Sequence, residues 1–334
     1  MLSLELKEIL LETRLCKYLE LQEITMLLKN NQPVKFAGGD VILHQGKKSS
    51  GLYIILEGDV LVTAKILGEG ATNLSMLSRG NILGEISVME RGPCATSAIA
   101  CDSVTCILIS SDYFDMLSVF FPETKFKFIK AITEEVCDRL MSLHKKLTQG
   151  MEQYHMVERS IFSEVIRTLN RPTEIEFDET GIDFALLKNS VLFKSFTQNE
   201  LDELLKYSTA IHAPTKSTLI HEDEKHTSCY IVLRGAVQSS FIKNNIFAKL
   251  SVLGPMQIFC SISFIGCTDK SIINYTTCER AVLLKISQEN LLNLEKTNTP
   301  LWYKLYELLG QSFVEVERSA DKLDIRLNSE TYNR

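Results

Sequence analysis

The sequence predicts an α+β chain of two tandem β-rolls of jelly-roll type, each flanked by helices. Three observations carry that expectation. Two halves match at an offset of 177 residues, each half holds short β-rich runs broken by single glycines, and an apolar stripe at helical spacing closes each half. A chain of 334 residues has room for about two domains and a sizeable core. With 45% hydrophobic and 23% charged residues and a mean hydropathy of +0.03, it has the composition of a globular protein rather than a disordered one.

Each element follows in order. Leu15-Cys16-Lys17-Tyr18-Leu19 lies over Leu192-Phe193-Lys194-Ser195-Phe196, and Glu23, Ile24, Leu27 and Leu28 lie over Glu200, Leu201, Leu204 and Leu205, which gives each half a lead-in helix. Ile42-Leu43-His44 overlies Leu219-Ile220-His221, and residues 53–60 overlie 230–237, all β-rich. The offset then becomes 176, placing residues 82–87 over 258–263. Residues 123–153 carry Phe126, Phe128, Ile129, Ile132, Val136, Leu140, Leu143 and Leu147 and predict a long amphipathic helix. Residues 158–170 repeat the pattern with Ile161, Phe162, Val165, Ile166 and Leu169, ended by Arg171-Pro172. Trp302, Leu305, Leu308, Leu309, Phe313 and Val316 close the second half in the same way. The expected domains are residues 14–150 and 184–326, joined by a helical linker over 151–183. Such stripes suit either a helix packed on its own roll or a homodimer interface.

Composition excludes several functions. A net charge of −6 and a pI near 5.7 argue against a surface that gathers nucleic-acid phosphates, so no nucleic-acid partner is expected. No run of 18 apolar residues appears, and residues 1–13 lack the pattern of a secretory signal; the expectation is a cytoplasmic chain without membrane insertion. The nine cysteines are an odd count without a Cys-x-x-Cys pair, which reads as buried reduced thiols. No His-Glu-x-x-His, Gly-x-Ser-x-Gly or Gly-x-x-x-x-Gly-Lys-Ser/Thr pattern occurs, so no enzyme is expected. His221 and His226, with Glu222, Asp223 and Glu224, read as a solvated charged turn rather than a divalent-metal site.

One segment is more specific. Gly84-Glu85-Ile86-Ser87-Val88-Met89-Glu90-Arg91-Gly92-Pro93-Cys94-Ala95-Thr96-Ser97-Ala98 resembles the phosphate-binding cassette of the cyclic nucleotide-binding domain family. Upstream, Gly39-Asp40-Val41-Ile42, Gln45-Gly46 and Leu52-Tyr53-Ile54-Ile55-Leu56-Glu57-Gly58 are similar to that family's strand and turn signatures, in the same order. The resemblance covers about residues 14–147 and, more weakly, 184–320. It implies a cAMP or cGMP ligand, no cofactor, and a regulatory role. On it, Gly84 turns the backbone close to the ligand, Glu85 accepts from the ribose 2′-hydroxyl, and Ile86 and Ser87 offer backbone donors. Ala95 and Thr96 match the small residues after the family's phosphate-binding Arg, and Ser97 fills a place where a hydroxyl bonds a guanine amino group. The Arg itself is replaced by Cys94.

Loss of a charge-assisted bond worth about 1.5–3 kcal/mol weakens binding by roughly ten- to a few hundred-fold. Arg91 is either a substitute cation or a solvated loop residue, and Cys94 is a reactive thiol only beside a cation. In the second half, ungapped alignment puts Cys260 at the Gly position, Ser261 at the carboxylate, Ile262 and Ser263 at the donor positions, Lys270 at the Arg position and Ser271 next to it. Lys would hold a phosphate as a point charge; Asp269-Lys270-Ser271 reads equally as an exposed turn.

The layout is similar to that of regulatory subunits of the cyclic-AMP-dependent protein kinase, with residues 123–153 as the element that moves and a protein partner downstream. Only about a dozen residues precede the first domain, and no basic pseudosubstrate is present, so kinase inhibition is not expected. A transcription factor of the catabolite-activator type would need a recognition helix, but residues 151–180 set three Arg against seven carboxylates. A ligand-free tandem scaffold that has lost nucleotide binding is the alternative.

Overall fold

The computed structural model describes residues 2–66, 70–90, 92–150, 170–182, 187, 189–222, 224–225, 227–243 and 246–332. The first half opens with α1 (Leu2–Glu12) and α2 (Leu21–Asn30). A reciprocal pair of hydrogen bonds between Glu20 and Glu23 starts α2, since these groups satisfy donors that the first helical turn leaves free. Then come β1 (Pro33–Phe36), β2 (Val41–Leu43), β3 (Gly51–Glu57), β4 (Val60–Ile66), β5 (Gly70–Leu77), β6 (Ile82–Leu83), α3 (Glu85–Met89), β7 (Ser97–Ala100), β8 (Val104–Ser110), α4 (Ser111–Phe120) and α5 (Pro122–Gly150). The strands pair antiparallel in two sheets, β1-β8-β3-β6 and β2-β7-β4-β5. Between them lies a core of Ile42, Leu43, Tyr53, Ile55, Val60, Leu83, Cys94, Ala98, Ala100, Val104 and Cys106.

The second half has β9 (Thr173–Ile175), α6 (Gln198–Lys206), β10 (Thr209–Ala213), β11 (Thr218–Ile220), β12 (Cys229–Arg234), β13 (Val237–Lys243), β14 (Ile246–Leu253), β15 (Ile258–Cys260), β16 (Asn274–Thr277), β17 (Ala281–Ile286), α7 (Gln288–Thr297) and α8 (Thr299–Tyr332). Its sheets, β15-β12-β17-β10-β9 and β11-β16-β13-β14, repeat the strand order of the first half. The repeat extends to irregularities. Bulges at Val41/Leu43, Ile55/Glu57 and Val62/Thr63 recur at Thr218/Ile220, Val232/Arg234 and Ser239/Ser240. An ion pair recurs as well: Lys127 Nζ lies 3.0 Å from Glu23, and Lys304 Nζ lies 2.8 Å from Glu200, tying each lead-in helix to the long helix of its own half. The expected tandem α+β rolls are therefore the observed fold.

By contacts the chain divides into two compact units, Val136–Asp321 and the residues before it together with Lys322–Arg334. The apolar stripes expected on α5 and α8 are buried within the chain at Phe128, Ile129, Ile132, Val136, Leu140 and Leu147 and at Trp302, Leu305, Leu308, Leu309, Phe313 and Val316. The helix expected over residues 158–170 lies, up to residue 169, outside the described residues. The helical linker of 151–183 needs correction where it is described. Thr173–Ile175 is a strand that pairs with β10 and widens the second roll's sheet. The thiols also differ from expectation: Cys16, Cys94, Cys106, Cys137, Cys229 and Cys260 are buried, Cys267 is half-buried, and Cys101 and Cys278 are exposed. Among the described residues no helix is long and apolar enough to cross a membrane.

Candidate functional site

The site of the first roll begins where β6 ends. Gly84 adopts φ +88°, and a Cβ there would sit 2.5 Å from the Gly51 carbonyl oxygen, so both the turn and the close backbone approach require glycine. This turn delivers the chain into α3, with Glu85 as its first residue. Glu85 is only 8% exposed, Ile86 8% and Ser87 4%. Carboxylates are seldom this buried, which marks Glu85 within the turn.

The far side of the cassette is clamped onto the turn between β2 and β3. Gly46 N–H donates to the Cys94 carbonyl and Cys94 N–H to the Lys47 carbonyl, each at 2.9 Å. Ser49 N–H donates to Ser87 Oγ at 3.1 Å, and Gln45 N–H to Ser97 Oγ at 3.0 Å. The structure thus brings Gly84, Glu85, Ile86, Ser87, Cys94 and Ser97 around one turn; Ala95 and Thr96 join them as half-buried residues between Cys94 and β7. Arg91 lies outside the described residues.

Cys94 packs inward in the same cluster as Tyr53, Leu83 and Ala98. Its side chain belongs to the hydrophobic core, 6% exposed, with Ser87 Oγ 3.9 Å from its sulfur. Burial raises its pKa, the Ser87 hydrogen bond lowers it, and the negative charge of Glu85 raises it again; the net shift is upward. A thiol in this setting stays protonated and neutral, which removes the reactive-thiol reading and gives a ligand anion no charge to meet.

The second roll is built differently at the same place. Cys260 ends β15 opposite Cys229. Ser261, fully buried, caps a single 3-10 turn, Ile262–Phe264, where the first roll has α3; its Oγ accepts from Ser263 N–H at 3.2 Å and lies 2.7 Å from Ser263 Oγ. These hydroxyls are engaged with one another. The ungapped alignment beyond this turn is corrected by hydrogen bonding. Ser271 N–H donates to the Glu224 carbonyl at 3.0 Å, the counterpart of Cys94 N–H to Lys47, so Ser271 and not Lys270 occupies the place of Cys94. Strand pairing agrees, since Ala98 faces Val62 and Tyr275 faces Ser239. Replacing α3 by a 3-10 turn and a glycine turn at Gly266 (φ +84°) adds one residue, which returns the offset to 177. Lys270 is exposed on the turn, and Ser271 is buried, its hydroxyl donating to the Ile273 carbonyl at 2.8 Å.

The interior beneath the two cassettes differs most. Tyr53, Leu83 and Ala98 of the first roll correspond to Tyr230, Phe259 and Tyr275 of the second. Those three rings stack, Tyr230 on Phe259 at 5.2 Å and Phe259 on Tyr275 at 4.6 Å, with interplanar angles of 18° and 20°. All are at most 4% exposed, and burial raises the pKa of both tyrosines. This slab joins the two sheets across the interior. Sequence alignment missed it because Ala98 and Tyr275 meet only in the corrected register. Among the described residues no group of three or more His, Cys, Asp or Glu is placed to hold a metal; Asp223 and His226 of the charged turn lie outside them.

A model of the cyclic nucleotide-binding domain matches residues 33–118 and again 210–298, together more than half of the chain. The chain belongs to that family. Its curated relatives include a CRP-like cAMP-activated global transcriptional regulator of Mycobacterium tuberculosis, 28% identical over 105 residues, which are 31% of this chain and 47% of that protein. The regulatory subunit of the cAMP-dependent protein kinase of Dictyostelium discoideum is 28% identical over 114 residues, 33% of this chain and 35% of that one. The chain thus spans between a third and a half of the length of these relatives. Among solved structures, the regulatory domain of the Toxoplasma gondii kinase with cAMP is 12% identical, with a TM-score of 0.33 over 90% of this chain and 94% of that one. A regulatory subunit of Trypanosoma cruzi bound to guanosine is 14% identical, with a TM-score of 0.32 over 90% and 85%. Two copies of a cyclic nucleotide-binding domain are therefore present, and they differ at the cassette and in the interior beneath it.

Proposed function

We propose that the chain is a non-enzymatic regulatory protein that binds cAMP or cGMP in its first domain, residues 14–150, and relays the bound state through α5 to a protein partner. The second domain, residues 184–326, carries no ligand on this reading. The observation behind it is Glu85, a nearly buried carboxylate held at the Gly84 turn of the first cassette, where the second has the self-bonded Ser261. Glu85 accepts from the ribose hydroxyl, Gly84 turns the backbone close to the ligand, Ile86 and Ser87 bring backbone donors to the phosphate, and Ala95, Thr96 and Ser97 complete the wall. Helix α5 follows the roll after the short helix α4 and is clamped to α2 by Lys127 and Glu23, so a ligand that draws the cassette inward loads the helices that follow the roll.

Calorimetric titration of the full chain with cAMP and with cGMP tests this. Binding is expected, and Glu85→Ala should weaken it by roughly ten- to a hundredfold, the loss of a charge-assisted bond. The neutral, core-packed thiol of Cys94 supports a second reading, a scaffold that keeps the fold for protein contacts alone. No heat with either nucleotide at millimolar concentration would select it.

A further inference from the structure

An anionic ligand in the first cassette needs a cation, and the side chain at position 94 is a neutral thiol turned into the core. The residue hydrogen-bonded to it across the cassette is a lysine. Cys94 N–H donates to the Lys47 carbonyl and Gly46 N–H to the Cys94 carbonyl, both at 2.9 Å, so Lys47 is fixed beside the place where the cation is missing. The seam continues through Ser49 N–H to Ser87 Oγ at 3.1 Å, on the cassette helix itself. Lys47 is exposed, and its long stem carries a mobile point charge that reaches several ångströms from the backbone.

The second roll supplies a control within the same molecule. There the same bridge joins Ser271 to Glu224, so a carboxylate stands where the first roll has an ammonium. That roll has also replaced the ribose carboxylate with Ser261 and filled its interior with the aromatic stack. The positive charge at the bridge thus accompanies the cassette that retains its carboxylate and its small interior residue, Ala98.

We infer that Lys47 supplies the cation for the ligand's cyclic phosphate, displaced from position 94 to the turn that faces it, and so selects an anionic nucleotide over the neutral nucleoside. This rests on the ligand reading given above. Titration of the full chain with cAMP and adenosine, and with cGMP and guanosine, separates the two claims. The wild-type chain should bind the cyclic nucleotide more tightly than the nucleoside. Lys47→Ala should weaken the cyclic nucleotide about tenfold or more and leave the nucleoside unchanged, Lys47→Glu should weaken it further, and Lys47→Arg should restore it. Raising salt from about 50 to about 200 mM should weaken the wild type more than Lys47→Ala. Cyclic nucleotide bound equally by the wild type and Lys47→Ala overturns the role of Lys47 while leaving the ligand site in place. Equal weakening of nucleotide and nucleoside overturns it too, because that marks damage to the turn. A wild-type chain that binds no nucleotide removes both claims.

Discussion

Where the first roll sets Ala98 beside Leu83 and Tyr53, the second sets Tyr275 against Phe259 and Tyr230, although the same three bulges and the same Glu–Lys clamp surround both. The frame of strands and helices is held by backbone pairing and by contacts remote from the cassette. Cassette and interior are therefore free to change without it. Stacked rings bring packing energy to the second roll at a place where the first has Ala98 and Leu83.

The strongest way to break this comparison is to exchange the fillings. Tyr275→Ala should destabilise the second roll by about 3–5 kcal/mol, read as an earlier transition in denaturant unfolding. In the opposite direction, Ala98→Tyr should abolish nucleotide heat at a cost of about 1–3 kcal/mol in stability. A loss near zero for Tyr275→Ala would mean that the stack is incidental to the fold.

The clamp sharpens the comparison from the side of the frame. Burial opposes ionisation of Glu23, but hydrogen bonds from Glu20 N–H, Thr124 and Lys127 and the charge of Lys127 outweigh it, and its pKa is lowered; Lys304 and Thr197 do the same for Glu200. A carboxylate with a lowered folded pKa contributes stability above its unfolded pKa, about 4.3, that disappears as pH falls through the folded value. Glu23→Gln and Glu200→Gln should each cost about 1 kcal/mol at pH 7 and flatten the acid side of the stability profile by similar amounts. Unequal effects at the two positions would show that the frames are not equivalent.

The smallest effect lies in two turns. Gly39 and Gly80 of the first roll have φ near +90°, and their counterparts in the second are Lys216 at +64° and Met256 at +63°. Side chains there store strain that glycine relieves, less the entropy that glycine brings to the unfolded chain. Lys216→Gly and Met256→Gly should each stabilise by about 0.5–1 kcal/mol, visible as a small rise in melting temperature.

Much of this architecture was legible in the sequence because strands and lead-in helices keep their apolar pattern under divergence. Tyr53 over Tyr230 and Glu23 over Glu200 are enough to lay one half on the other. What escaped was set by non-local or very short structure. The single residue gained where α3 gives way to a 3-10 turn shifts every later match by one, and this placed Lys270 where Ser271 belongs. The three-residue strand β9 owes its form to pairing with β10 rather than to a pattern of its own. The pairing of Lys47 with Cys94 crosses almost fifty positions and is made by backbone atoms, which side-chain identity does not report.

The stack of Tyr230, Phe259 and Tyr275 also bears on how the protein can respond to concentration. Three rings held inside the fold fill the second roll with its own side chains, so on the proposed reading the first roll alone answers to a ligand from outside. With one ligand site per chain on that reading, no cooperativity arises within the chain, and the expected dose–response is a simple hyperbola, spread over about two decades of ligand between a tenth and nine-tenths saturation. Such a chain reports the level of its ligand in proportion, and any sharper switching has to arise further along, in whatever it binds.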